Sequence, residues 1–181
     1  MKHVAFTTFA VMKDHYGTEV TRGFEERTPA VFAAAERSEG FVARAKELDD
    51  RADLTNGQRD WGAWGPFHTP RFYTGGHTME TDTRASTLSL WRDLASVRRF
   101  AYAGLHREAL RRRKEWFVSP EWPSYAVWWV GAQHIPTWRE ASERLEYLHD
   151  HGCTPAAFNF RRPFDEHGNV IELLPTAKAA S

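Results

Sequence analysis

The stretch from Leu88 to Phe117, LSLWRDLASVRRFAYAGLHREALRRRKEWF, and the short run Tyr125–Val130, YAVWWV, decide the fold. Thr87–Trp91 reads as a strand, and Asp93 is placed to cap the helix that follows. Leu94, Val97, Ala101 and Leu105 recur at helical spacing, and Ala109, Leu110, Trp116 and Phe117 widen the apolar surface. The spacing predicts one long helix, ended by Pro120 and Pro123. YAVWWV is apolar at every position. That predicts a strand buried on both faces, with Trp128 and Trp129 pointing to opposite sides.

Working outward, the first half repeats this order. Val4–Met12 alternates as a strand, with Val4, Phe6 and Met12 on one side and Ala5, Phe9 and Val11 on the other. Lys13–Arg27 is irregular. Thr28 and Pro29 open a helix that Gly40 closes. Phe41–Leu48 is a second strand. Past YAVWWV, Thr137 and Glu140 form a capping box for a further helix. Its stripe is Trp138, Ala141, Leu145 and Leu148, and Gly152 stops it. Two β-α-β halves with four strands give an α+β chain with the ferredoxin-like arrangement: a four-stranded antiparallel sheet and an extra C-terminal helix. Helices on one face alone leave the other apolar face open. A second copy of the chain is the expected cover, which predicts a homodimer. Residues 1–160 form the domain, and 161–181 read as an extended or partly disordered tail.

The 181 residues carry 24 Lys and Arg against 24 Asp and Glu, a formal net charge of zero. This removes the electrostatic case for nucleic acid or a membrane surface as partner. A single cysteine, Cys153, excludes an internal disulfide and a cysteine metal cluster. No apolar run is long enough to span a bilayer, and the N-terminus lacks a cleavage signal, so a cytoplasmic location is expected. Eight Trp and twelve Phe are the unusual counts. Two Trp, two Phe and one Tyr fall in an inserted segment, 59–84, which begins RDWGAWGPFHTPRFYTGGHT. Its glycines and prolines forbid a regular element, yet its rings want burial. It reads either as a flap over a cavity mouth or as an insertion that covers a sheet edge or meets another subunit.

The motifs W-x-D at Trp91, Y-x-x-x-H-x-x-x-L-R-R-R-x-E-W-F at Tyr102 and W-W-V-x-x-x-H-x-P-T at Trp128 resemble an uncharacterised bacterial family, a domain of unknown function (DUF3291). That family is grouped with the dimeric α+β barrel proteins, alongside the antibiotic-biosynthesis monooxygenases. The resemblance runs over roughly Val4 to Phe160 and is most specific in the second half. It implies a dimeric α+β barrel and a monooxygenase-like activity. The segment 59–84 looks longer than the family usually carries.

His106 leads the catalytic candidates: an imidazole beside an apolar stripe is hydrogen-bonded, exposed or in use. His134, at the end of a strand, is the other candidate acid or base. Arg113 and Tyr102, on the side of His106, are candidates for stabilising an anion. Trp61, Trp64, Phe67, Phe72, Trp116, Phe117, Trp128 and Trp129 are candidate substrate-binding rings, with core packing as the plainer reading. His68 and His77 lie in the aromatic segment, where they could meet a substrate or a metal, and stay outside this set. No nucleotide or serine-hydrolase motif is present. No cofactor is expected, and no metal beyond one case: the resemblance to haem proteins of similar fold leaves haem open, with His106 as axial ligand. The function these readings favour is a small tailoring enzyme of specialised metabolism acting on an aromatic or polycyclic apolar substrate. A haem enzyme, a non-redox cyclase or isomerase, and a non-catalytic binder of an apolar metabolite are the alternatives.

Overall fold

The computed structural model describes residues 1–51 and 55–173. The sheet is built from β1 (Lys2–Val11), β2 (Phe41–Arg44), β3 (Arg84–Trp91) and β4 (Tyr125–Gly131). Its order is β2-β3-β1-β4, and all three pairings are antiparallel. Between β1 and β2 lie α1 (Glu19–Glu25), within a stretch expected to be irregular, and α2 (Thr28–Glu36). Between β3 and β4 lie α3 (Leu94–Ala101) and α4 (Gly104–Trp116), and α5 (Trp138–His151) follows β4.

The expected caps form. Asp93 accepts from the Ser96 N–H at 2.7 Å, and Thr137 accepts from the Glu140 N–H. The expected single long helix does not. It breaks after Ala101, and Gly104 restarts the chain at φ +48°. That left-handed conformation suits glycine and disfavours other residues.

One sheet face carries Val4, Phe6, Trp91 and Val127, packed under Ala35 of α2 and Leu94, Val97 and Ala101 of α3. Phe158, Phe160 and Phe164 complete this layer, with Ile171 and Leu173 beside them. Phe158 also bridges the outer edge of β4, exchanging backbone hydrogen bonds with Val127 at 2.8 and 2.9 Å. Of the expected tail, residues 161–173 thus include part of this layer, and 174–181 lie outside the described residues.

The opposite face carries Ala5, Phe9, Leu88, Leu90, Ala126 and Trp128. It is covered from within the chain. Trp138, Ala141, Leu145 and Leu148 of α5 lie on it, together with Trp61, Trp64, Phe67 and Tyr73 of the aromatic segment. This corrects the expected dimeric barrel. The sheet stays open, with β2 and β4 as its two edges, and is not closed into a barrel. The apolar face that called for a second copy is already filled by rings of the same chain.

Candidate functional site

At the start of β3 the alternation of the strand puts Arg84 on the face of Leu88 and Leu90, beneath the aromatic segment. Arg84 is only 2% exposed. Its Nη2 donates to Asp82 Oδ2 at 2.5 Å, and Asp82 is itself buried. Asp82 Oδ1 also accepts from the Arg84 backbone N–H at 3.1 Å. The Tyr73 hydroxyl lies 3.2 Å from the same oxygen and 2.8 Å from the Gly76 carbonyl, and accepts from the Thr83 N–H. The Phe67 ring lies against the guanidinium, 3.9 Å from its central carbon. Burial pulls the Arg84 pKa below the ordinary arginine value, opposed by the Asp82 carboxylate.

Arg84 is nevertheless under-satisfied. Its Nε and Nη1 are buried and have no hydrogen-bond partner among the described residues. A buried donor left without a partner costs about 1–3 kcal/mol, and more when charged. Beside it is a cavity of about 150 Å³ lined by Thr55, Gly57, Phe67, Thr69, His77 and Arg84. A cavity near that size holds about one benzene-sized ring. The His77 imidazole meets the Tyr73 ring edge-on, with centroids 5.6 Å apart. A second cavity of about 10 Å³, between the sheet and α5, is too small for a substrate.

The predicted catalytic residues fall at separate places. His106 lies near the start of α4, against the Phe100 ring at 4.9 Å. Its Nδ1–H donates to the Ala101 carbonyl at 2.7 Å and so satisfies a carbonyl at the end of α3. Burial holds its pKa below the ordinary histidine value. Nε2 is the nitrogen left for a haem iron, but neither of these two cavities touches His106. Phe100 stacks on Trp91, which places His106 on the opposite side of the sheet from the aromatic segment. That segment therefore covers the sheet and forms no lid over His106. Tyr102, 38% exposed, meets Phe160 edge-on. Arg113 is exposed and donates to the Leu110 carbonyl on its own helix. His134 sits in the turn after β4, 2.7 Å from Glu140, whose other oxygen accepts from Trp128 Nε1 at 2.9 Å.

The candidate rings divide in the same way. Trp61, Trp64, Phe67 and Trp128 share one cluster with Trp138. Phe72 stacks on Trp122 and meets Phe9. Trp116 and Phe117 pack on Phe24 of the helical layer. Trp129 is on the other face, donating to the Phe164 carbonyl at 2.8 Å. Of the eight rings, Phe67 alone lines the larger cavity.

The model of the family described as "Domain of unknown function (DUF3291)" matches residues 3–172. The chain belongs to the DUF3291 family. No curated protein matches this DUF3291 chain. Among solved structures it is similar to a protein of unknown function from Nitrosomonas europaea, with 12% identity and a TM-score of 0.41 over 75% of this chain and 93% of that one. It is similar to SnoaB, a cofactor-independent oxygenase from Streptomyces nogalater, with 13% identity and a TM-score of 0.40 over 75% and 97%. A protein from Pseudomonas aeruginosa gives 9% identity and a TM-score of 0.40 over 74% and 97%. Identities this low bear on the fold alone.

Sequence reasoning missed Arg84, Asp82 and His77 as a group. Arg84 closes the inserted segment as read from the sequence, which gives it no role of its own. The signal was the period-two run Arg84, Ser86, Leu88, Leu90, which carries an arginine onto a buried face. No member of the described residues belongs to a metal-binding cluster of three or more ligands. No helix is long and apolar enough to cross a membrane among the described residues.

Proposed function

We propose that this DUF3291 chain is a small-molecule enzyme of the oxygenase type, acting on an aromatic substrate in the cavity at Phe67, His77 and Arg84. One observation carries the reading: a cavity of about 150 Å³ brings an imidazole, an aromatic wall and a buried cation to the same space. The volume favours one ring, or one ring of a larger substrate reaching out past the exposed His77, over a buried polycycle.

His77 acts as the base and removes a proton from an acidic C–H or O–H of the substrate, a role worth about 10²–10⁴-fold in rate. The substrate anion reduces dioxygen directly. One oxygen atom stays on carbon and the other leaves as water, CH₂ + O₂ → C=O + H₂O. Arg84 holds the substrate in place, and Phe67 supplies its stacking wall. Substrate and dioxygen are the only reactants required.

The test is dioxygen consumption with a panel of single-ring phenols and cyclic ketones bearing an activated CH₂. The expected product is heavier by one oxygen and lighter by two hydrogens, and takes its label from ¹⁸O₂. His77→Ala is expected to slow it at least about 100-fold. Binding of such rings with no dioxygen uptake and no product would overturn the oxygenase reading and leave a binding protein.

A further inference from the structure

Arg84 is a strand residue, and its surroundings are fixed on three sides. Asp82 takes Nη2, the Phe67 ring covers a face of the guanidinium, and the strand places its stem beneath the aromatic segment. What remains is Nε and Nη1, both buried and both without a hydrogen-bond partner among the described residues, on a side chain that lines the cavity. A structural ion pair uses its donors. Tyr73 and the Arg84 backbone complete the shell of Asp82, but among the described residues no acceptor meets Nε and Nη1 of Arg84. The asymmetry marks Arg84 as built to receive a further acceptor. Hydrogen bonds to a charged partner are roughly twice as strong as neutral ones, and arginine matches carboxylates in shape as well as charge. The other walls, Thr55, Thr69 and Phe67, offer two hydroxyls and a ring.

We infer that the cavity is a carboxylate site. It takes a single-ring organic acid, with the acid group on the unpartnered N–H donors of Arg84 and the ring against Phe67. This rests on the reading of the cavity as the substrate site and adds the charge of the ligand. Asp82 neutralises Arg84 in the free protein and holds it in place. Among neutral and acidic rings of one size, the acid is therefore selected.

The experiment is titration calorimetry of the full chain, without dioxygen, using benzoate and its neutral isostere benzamide. Charged and neutral hydrogen bonds differ by about 1–1.5 kcal/mol. The expected preference for benzoate is therefore about tenfold in Kd. Arg84→Met alone strands Asp82 and can fail to fold, so the variant used is Asp82→Ala/Arg84→Met, which removes the pair together. It is expected to lose the preference while keeping its circular dichroism spectrum. Equal binding of the two probes, binding of neither, or a preference that survives in the double variant would overturn the carboxylate site. If benzoate binds selectively but no ring consumes dioxygen, the oxygenase reading fails and this inference stands. If neutral phenols turn over with no preference for an acid, the reverse holds.

Discussion

Removing Asp82 tests most sharply how the chain holds a buried cation. The Arg84 guanidinium is 2% exposed and Asp82 7% exposed, so neither is solvated by bulk water. Asp82→Ala deletes the carboxylate that bonds the Arg84 guanidinium and also removes an acceptor from the Arg84 backbone N–H, while the Tyr73 hydroxyl keeps the Gly76 carbonyl. Removing one partner of a buried pair costs about 3–5 kcal/mol, because the other charge is left uncompensated. For a chain of this size each kcal/mol moves Tm by about 2–4 °C, so the expected drop is roughly 6–20 °C. The double variant Asp82→Ala/Arg84→Met leaves no orphaned charge and is expected to recover much of the loss. Residues in direct contact show coupling of about 0.5–3 kcal/mol. Urea unfolding of the two single variants and the double variant gives that coupling directly. An Asp82→Ala variant within about 1 kcal/mol of the parent, or energies additive to about 0.3–0.5 kcal/mol, would refute the argument.

Other expectations follow from separate parts of the fold. Burial holds the His106 pKa below its unfolded value, so the unfolded chain binds more protons below the ordinary histidine pKa. Stability should therefore be full above about pH 6.5 and fall as pH drops below it. His106→Phe should flatten that slope, and an unchanged slope in urea titrations would contradict it. Trp138→Ala removes a ring buried between Trp61, Phe67 and the sheet, and should cost about 3–5 kcal/mol by chemical denaturation. Gly104→Ala meets no atom within 4 Å but forces φ +48° on an alanine, and should cost about 1–2 kcal/mol by the same measurement. Phe67→Ala should weaken benzoate binding by removing the ring beneath Arg84, read by calorimetry, with unchanged affinity contradicting its role.

Much of the fold is legible in the sequence because its signals are local. The alternation of Leu88 and Leu90 with Trp91 opposite, the caps at Asp93 and Thr137 and the apolar YAVWWV run each fix an element without knowledge of the rest. The break at Gly104 was less visible. The apolar stripe continues across it, and one glycine inside a helical pattern reads as tolerated. What covers the second sheet face was not legible, because the answer is tertiary. Trp61, Trp64 and Phe67 lie in a segment without periodicity, and nothing local says which face they reach. The site follows the same rule. His106 stood out by type and position, yet the structure gives it a carbonyl at a helix end. Arg84 and Asp82 matter through burial, and His77 through the cavity it lines, neither of which spacing encodes.

The most direct measurement is the NMR signal of the Arg84 side-chain Nε–H in the parent chain, assigned with Arg84→Lys, during titration with benzoate and then benzamide. Benzoate should shift that signal downfield in a saturable manner and protect it from exchange with water, while benzamide leaves it nearly in place. A signal that neither compound moves, or that both move equally, would contradict an anion-receiving arginine at the heart of this site.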